Sequence, residues 1–164
     1  MNELRFTDSD GVTISGAGVS AGSAVLQIGG VLDQAGGGNI VAGSLAIRGA
    51  GEVALNGDNE VTTLAVALAG PVSFNDLNEL TIGTADGITG INSNGRSVAI
   101  SAGADLTLTA AIIATDSTVE LTSGDSIIDR RAATGADIVA GELLLTGTGG
   151  AGEKDDPLET RILR

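Results

Sequence analysis

Short apolar–x–apolar pairs, each bounded by Gly, Asn, Asp or Ser, recur along this chain at intervals near twenty residues. Leu4/Phe6, Leu26/Ile28, Leu45/Ile47, Leu64/Val66, Leu80/Ile82, Val98/Ile100, Val119/Leu121 and Leu143/Leu145 follow one another at steps of 22, 19, 19, 16, 18, 21 and 24 residues. Alternation over so few positions is the pattern of a short strand with one face buried, and the bounding residues are those of tight turns. A second series stands eight residues after the first member of most pairs: Val12, Val53, Val72, Ile88, Leu106, Ile127 and Ala151. Only the second rung departs, with Val31 five residues after Leu26. A fixed distance in one part of each repeat, with length variation confined to the rest, is how a solenoid tolerates insertions.

Repeats of 16–24 residues are too short for a helix pair and suit one coil of a parallel β-helix. The spacing therefore predicts an all-β fold, a β-solenoid of about 8 coils, with residues 1–164 forming a single solenoid segment. A third strand per coil is expected near Ile40, Val61, Leu77, Ile113 and Ile138, and Ile162 is expected to open a ninth, incomplete coil. Coils stacked at about 4.8 Å make a rod roughly 34 Å long over seven steps. Inward Leu, Ile and Val would stack on like residues, and "NGDN" (56–59), "NSNG" (92–95) and "GGG" (36–38) would form corners where positive φ is tolerated. A β-sandwich would show longer strands and aromatic core residues, a doubly wound fold needs helices, and a hexapeptide helix needs a strict six-residue period. None of these patterns is present.

Composition narrows the chemistry. The chain has no His, Cys, Trp or Tyr, only Phe6 and Phe74 as aromatics, and a single lysine, Lys154. A net charge of −13 weighs against nucleic acid and anionic membranes as partners, and no apolar run reaches the length of a membrane span. The first residues lack the basic start and apolar stretch of a secretory signal, which leaves a cytoplasmic protein or an internal piece of a longer one.

Four stretches invite a functional reading. "GAGVSA" (16–21) matches a relaxed dinucleotide fingerprint, but that motif requires a helix, and the strand-like "GSAVLQIGG" follows. "GGAGEKDDPL" (149–158) resembles the calcium nonapeptide, with Lys154 where the ligand Asp belongs; Glu153, Asp155 and Asp156 are its acidic residues, and a solvent loop is the simpler reading. Asp125 with Asp129, or Asp8 with Asp10, near Arg130 and Arg131, could supply the carboxylate pair of a glycosidase, yet the aromatic groove that such enzymes use has no residues to build it. Thr107/Thr109 lacks the recurrence in successive coils that a flat threonine array demands. The residues thus predict no catalytic, cofactor or metal site.

The tetrapeptide "IVAG" occurs twice, at Ile40–Gly43 and Ile138–Gly141, each isoleucine five residues before a leucine of the first series. This predicts the same corner in two coils five steps apart, within a longer repeat of about five coils. The run "GADIVAGELLLTGTGGAGEKDDPLETRI" (135–162) resembles filamentous haemagglutinin-like bacterial exoproteins and large repetitive adhesins through Ile138, Ala140, Gly141, Leu143, Leu145, Gly147, Pro157, Leu158, Thr160 and Ile162. "NIVAGSLAIRG" (39–49) carries the first half again. The resemblance implies a right-handed parallel β-helix, exported to the bacterial cell surface or beyond as a stalk or adhesive filament, here as a fragment of the shaft. Its partners would be neighbouring repeats or further copies end to end, with host or cell-surface glycans or proteins. A carbohydrate-binding or polysaccharide-degrading β-helix domain is the alternative.

Overall fold

The computed structural model describes residues 2–49, 51–132 and 134–163. They contain eighteen strands and no helix; sixteen strands join one sheet that winds through eight coils, and all of its pairings are parallel. Coil one holds β1 (Glu3–Asp8) and β2 (Val12–Ser15), and coil two holds β3 (Val19–Ile28) and β4 (Leu32–Ala35). β5 (Ile40–Gly49) begins coil three, β6 (Val53–Leu68) completes it and runs on into coil four, and β7 (Val72–Asp76) closes coil four. Coil five comprises β8 (Leu80–Ile82), a hairpin of β9 (Thr84–Ala85) and β10 (Ile88–Thr89), then β11 (Ile91–Asn92) and β12 (Val98–Ala102). β13 (Leu106–Leu108) and β14 (Ile112–Ser123) make coil six, β15 (Ser126–Asp129) and β16 (Ile138–Gly147) coil seven, and β17 (Gly150–Ala151) and β18 (Thr160–Ile162) coil eight.

Each full coil turns through three faces, and side chains stack along each face at the register of the ladder. The second face carries Phe6, Leu26, Ile47, Val66, Ile91, Ile112, Ile138 and Thr160 in one column. The third carries Val12, Leu32, Val53, Val72, Val98, Val119 and Leu143. On the first face Leu80, Leu106, Ile127 and Ala151 stack in the later coils, while Ala21, Ala42 and Val61 do so in the earlier ones. The inward residues form one apolar cluster along the rod. Like-on-like stacking of branched side chains is the sheet's main source of stability.

The β-solenoid expected from the spacing is therefore present, but its register differs in several places. Leu45 faces Ala24, not Leu26, so the second rung is Ala24/Leu26, and eight residues on comes Leu32. Val31, half exposed, is no rung at all. The first series also changes face: Leu80 lies on the first face, and Val98, Val119 and Leu143 continue the column of Val12, Val53 and Val72. The cause is the hairpin in coil five. It leaves a second-face strand of only two residues, with Ile91 alone pointing in, so no apolar pair marks that rung. True steps along the third face run 20, 21, 19, 26, 21 and 24 residues. Leu77 and Ile113 point outward, Ile112 being the inward residue, and Ile162 pairs with Ala140 inside coil eight without opening a ninth.

The two "IVAG" copies share a local shape but not a face. Ile40 pairs with Val19 on the first face, whereas Ile138 pairs with Ile112 on the second, so no five-coil repeat exists. In both, Ile and Ala are buried and the glycine turns the corner against backbone of the preceding coil, Gly43 against Gly22 and Gly141 against Asp116. At "GGG" and "NSNG", Gly36, Gly37, Asn94 and Gly95 do take positive φ. "NGDN" works differently. Asn59 is buried in that corner, where its Oδ1 accepts from the Ile40 amide at 2.8 Å and its Nδ2 donates to the carbonyls of Leu55 (3.2 Å) and Asn75 (2.9 Å). One coil on, the buried Asp76 accepts from the amides of Val61 (2.7 Å) and Asn78 (3.0 Å). Both side chains satisfy amides that the corner removes from the ladder.

The hairpin folds back over the outer side of the second face. Ala85 and Ile88 bury themselves against Val25, Ala46 and Ala65, forming a second small core outside the coil. Asp86 and Gly87 both have positive φ (47° and 76°), as a type I′ turn requires. The Asp86 carboxylate pairs with Arg5 of coil one and Arg48 of coil three, pinning the tip. Hydrogen bonds from Arg5 and then Arg48 hold this carboxyl below its usual range. Its stabilising effect is thus present above the ordinary aspartate pKa and is lost as pH falls through the lowered folded value. Hydrogen-exchange protection of the Thr84–Thr89 amides is expected to fall over that acid range, and to be low at every pH in Asp86→Ala. Protection that survives in Asp86→Ala would show that the apolar contacts alone hold the hairpin.

Candidate functional site

The carboxylates weighed as glycosidase pairs stand in the following surroundings. Asp125 is exposed and contacts the Ser126 hydroxyl at 3.4 Å, whereas Asp129 is fully buried. Asp8 accepts the Asp10 amide at 2.7 Å in a tight turn. The acidic loop beyond β17 is closed on itself by Glu153 and Asp156 backbone hydrogen bonds, and Glu153 is paired with Arg130 at 2.9 Å. "GAGVSA" is a turn with Gly16 and Gly18 at positive φ, leading directly into β3. Thr107 does stack on Thr81 and Thr63 in successive coils, a column hidden by the misplaced register, but Thr109 stands over Gly83 and continues no second file.

The structure gathers a different set of groups where coils seven and eight meet. β15 ends at Asp129, and Asp137 stands immediately before the first residue of β16, Ile138. Glu159 occupies the equivalent position one coil later, immediately before β18. Stacking of these two corners brings one carboxylate oxygen from each of Asp129, Asp137 and Glu159 within 4.8 Å of the other two. Asp129 and Asp137 are fully buried and Glu159 is exposed, so the cluster opens to solvent on one side.

Hydrogen bonding fixes Asp137 more completely than Asp129. One Asp137 oxygen meets Arg131 Nη1 at 3.2 Å and the other accepts the Glu159 amide at 2.7 Å. Arg131 also donates to the carbonyls of Gly135 and Ala136 at 3.0 Å each, holding the loop closed. Asp129 Oδ1 accepts the Arg131 amide at 2.7 Å, but among the described residues Oδ2 has no partner. Burial raises the Asp129 pKa, the Arg131 amide opposes that rise, and the charges of Asp137 and Asp156 add to it. Glu159 is raised first by its contact with the Asp137 carboxyl and then by burial and the neighbouring acids. Like charges this close, two of them buried, are relieved by a shared proton or by a cation held between the oxygens.

Compared with protein-family models, curated proteins and solved structures, the chain matches none.

Sequence reasoning named Asp129 but sought its partner at Asp125, in the turn just before the same strand. It sought a cation in the contiguous loop at Glu153–Asp156. The usable signal was positional: an acid immediately before the first inward residue of successive second-face strands, Asp137 before Ile138 and Glu159 before Thr160.

Proposed function

We propose that this chain is a non-catalytic shaft segment of a bacterial surface or exported protein, a rigid spacer or adhesive filament. The observation that carries this reading is the set of stacked columns, which commits most of the buried side chains to extending a rod. The first coil supports it further. Leu4, Phe6 and Val12 line an open apolar rim with Val19, Leu26 and Leu32, and Phe6 is 41 % exposed there. Such a rim, beside the edge of β1, which among the described residues pairs only with β3, fits another coil of the same kind, from a neighbouring repeat or a second copy. The resemblance of residues 135–162 to filamentous haemagglutinin-like repeats points the same way and suggests a location outside the cell.

The test is sedimentation over a range of concentrations together with a polysaccharide panel. The expected results are weak self-association that Phe6→Asp reduces, and neither cleavage nor saturable binding of any glycan. Cleavage, or saturable binding lost in Asp125→Asn or Asp129→Asn, would overturn the shaft in favour of the carbohydrate-active alternative.

A further inference from the structure

We propose that Asp129, Asp137 and Glu159 form a calcium site that clips the last coil onto the stack. Three observations converge on it. The carboxylate oxygens lie within 4.8 Å of one another, close enough for one cation to touch all three. Among the described residues the Oδ2 atom of the fully buried Asp129 finds no hydrogen-bond partner, and a buried carboxylate oxygen left bare is costly unless something occupies the space beside it. The local charge is also unbalanced: among the described residues the one ion pair made by these three carboxylates is that of Asp137 with Arg131, which already bonds two carbonyls.

The donor set selects the ion. All three ligands are hard carboxylate oxygens, and the chain contains no His or Cys, so the softer transition metals find none of their preferred ligands. Calcium accepts six to eight oxygens in flexible geometry, with carboxylates binding through one or both atoms and water filling the remaining positions on the open side. Magnesium demands a more regular shell and gives up water reluctantly.

The position of the ligands gives binding a structural consequence. Asp129 and Asp137 belong to coil seven, whereas Glu159 belongs to coil eight, which pairs through only two short strands, β17 with β15 and β18 with β16. A cation shared by the two coils adds a cross-link where the ladder is thinnest. Calcium would thereby set whether β18 is docked, and whether the edge it presents is ordered.

This inference is independent of the shaft reading, and its test does not involve adhesion. Chelator-treated protein is titrated with calcium chloride by calorimetry, and amide exchange is followed with and without calcium. One calcium per chain is expected, with at least about tenfold greater protection of the Thr160–Ile162 amides and no change in β3. Asp129→Asn and the solvent-side Glu159→Gln should each weaken binding by about tenfold or more and abolish the gain in protection. Absence of saturable binding, or binding unchanged in both variants, would overturn the site. If calcium is silent while acidification in chelator raises protection of the same amides, after correction for intrinsic exchange, the cluster holds a shared proton and the proposal fails.

Discussion

Leu80→Asp is expected to destabilise the protein by about 4 kcal/mol or more, enough to unfold much of the rod at room temperature. Leu80 is 1 % exposed and stacks beneath Leu106, in the inner column of the first face. A carboxylate there has apolar neighbours and no cation, and the narrow core offers no path to water. Domain stabilities of about 5–15 kcal/mol leave little margin for such a loss. Leu80→Ala, which removes volume without adding charge, should cost roughly 2–5 kcal/mol. Urea unfolding followed by far-ultraviolet circular dichroism separates the two. A cost below about 1 kcal/mol for the aspartate would mean that Leu80 does not face inward.

Gly51→Ala should be nearly as damaging, for a different reason. At the corner between the second and third faces, glycines stack coil upon coil. A methyl on Gly51 would be driven into the Gly30 carbonyl, and one on Gly70 into the Gly51 carbonyl. The obstacle in each case is backbone, which cannot rotate aside, so the expected cost is about 3 kcal/mol, the upper end for overpacking. Gly36→Ala provides the contrast. Its φ of 56° is left-handed, but a methyl there meets nothing, so only the conformational penalty of about 1 kcal/mol applies. Denaturation midpoints for the two variants should differ clearly. Equal midpoints would show that the glycines at the stacked corner serve φ, not close approach.

These two positions also show what could be read from the chain. Alternation around Leu64, Val98 or Leu106 identifies short strands because inward and outward positions differ in chemistry at a period of two. It does not identify the face, because all three faces bury the same Leu, Ile and Val. Register therefore rested on spacing, and spacing failed where coil five carries an insertion. The insertion had its own signal, Asp86-Gly87 within "TADGIT", the dipeptide most characteristic of a two-residue hairpin. The acidic cluster was harder to see. Asp137 and Glu159 are 22 residues apart, and Asp129 belongs to another strand. Their meeting depends on two corners stacking in register, and therefore on coil lengths that vary along the chain.

The hairpin makes the rod mechanically uneven. Tension applied to the two ends of a parallel solenoid peels one coil at a time, because neighbouring coils are held chiefly by their own ladder. Each coil of about twenty residues would release roughly 70 Å of chain. From the coil-eight end, once the calcium clip proposed above and the exposed Arg130–Glu153 pair give way, coils seven and six can unravel stepwise. At coil five the pattern changes, since Asp86 grips Arg5 and Arg48 across the outside of the rod and ties the first, third and fifth coils together. The first five coils would then yield as a block, giving the rod a brittle half and an extensible half.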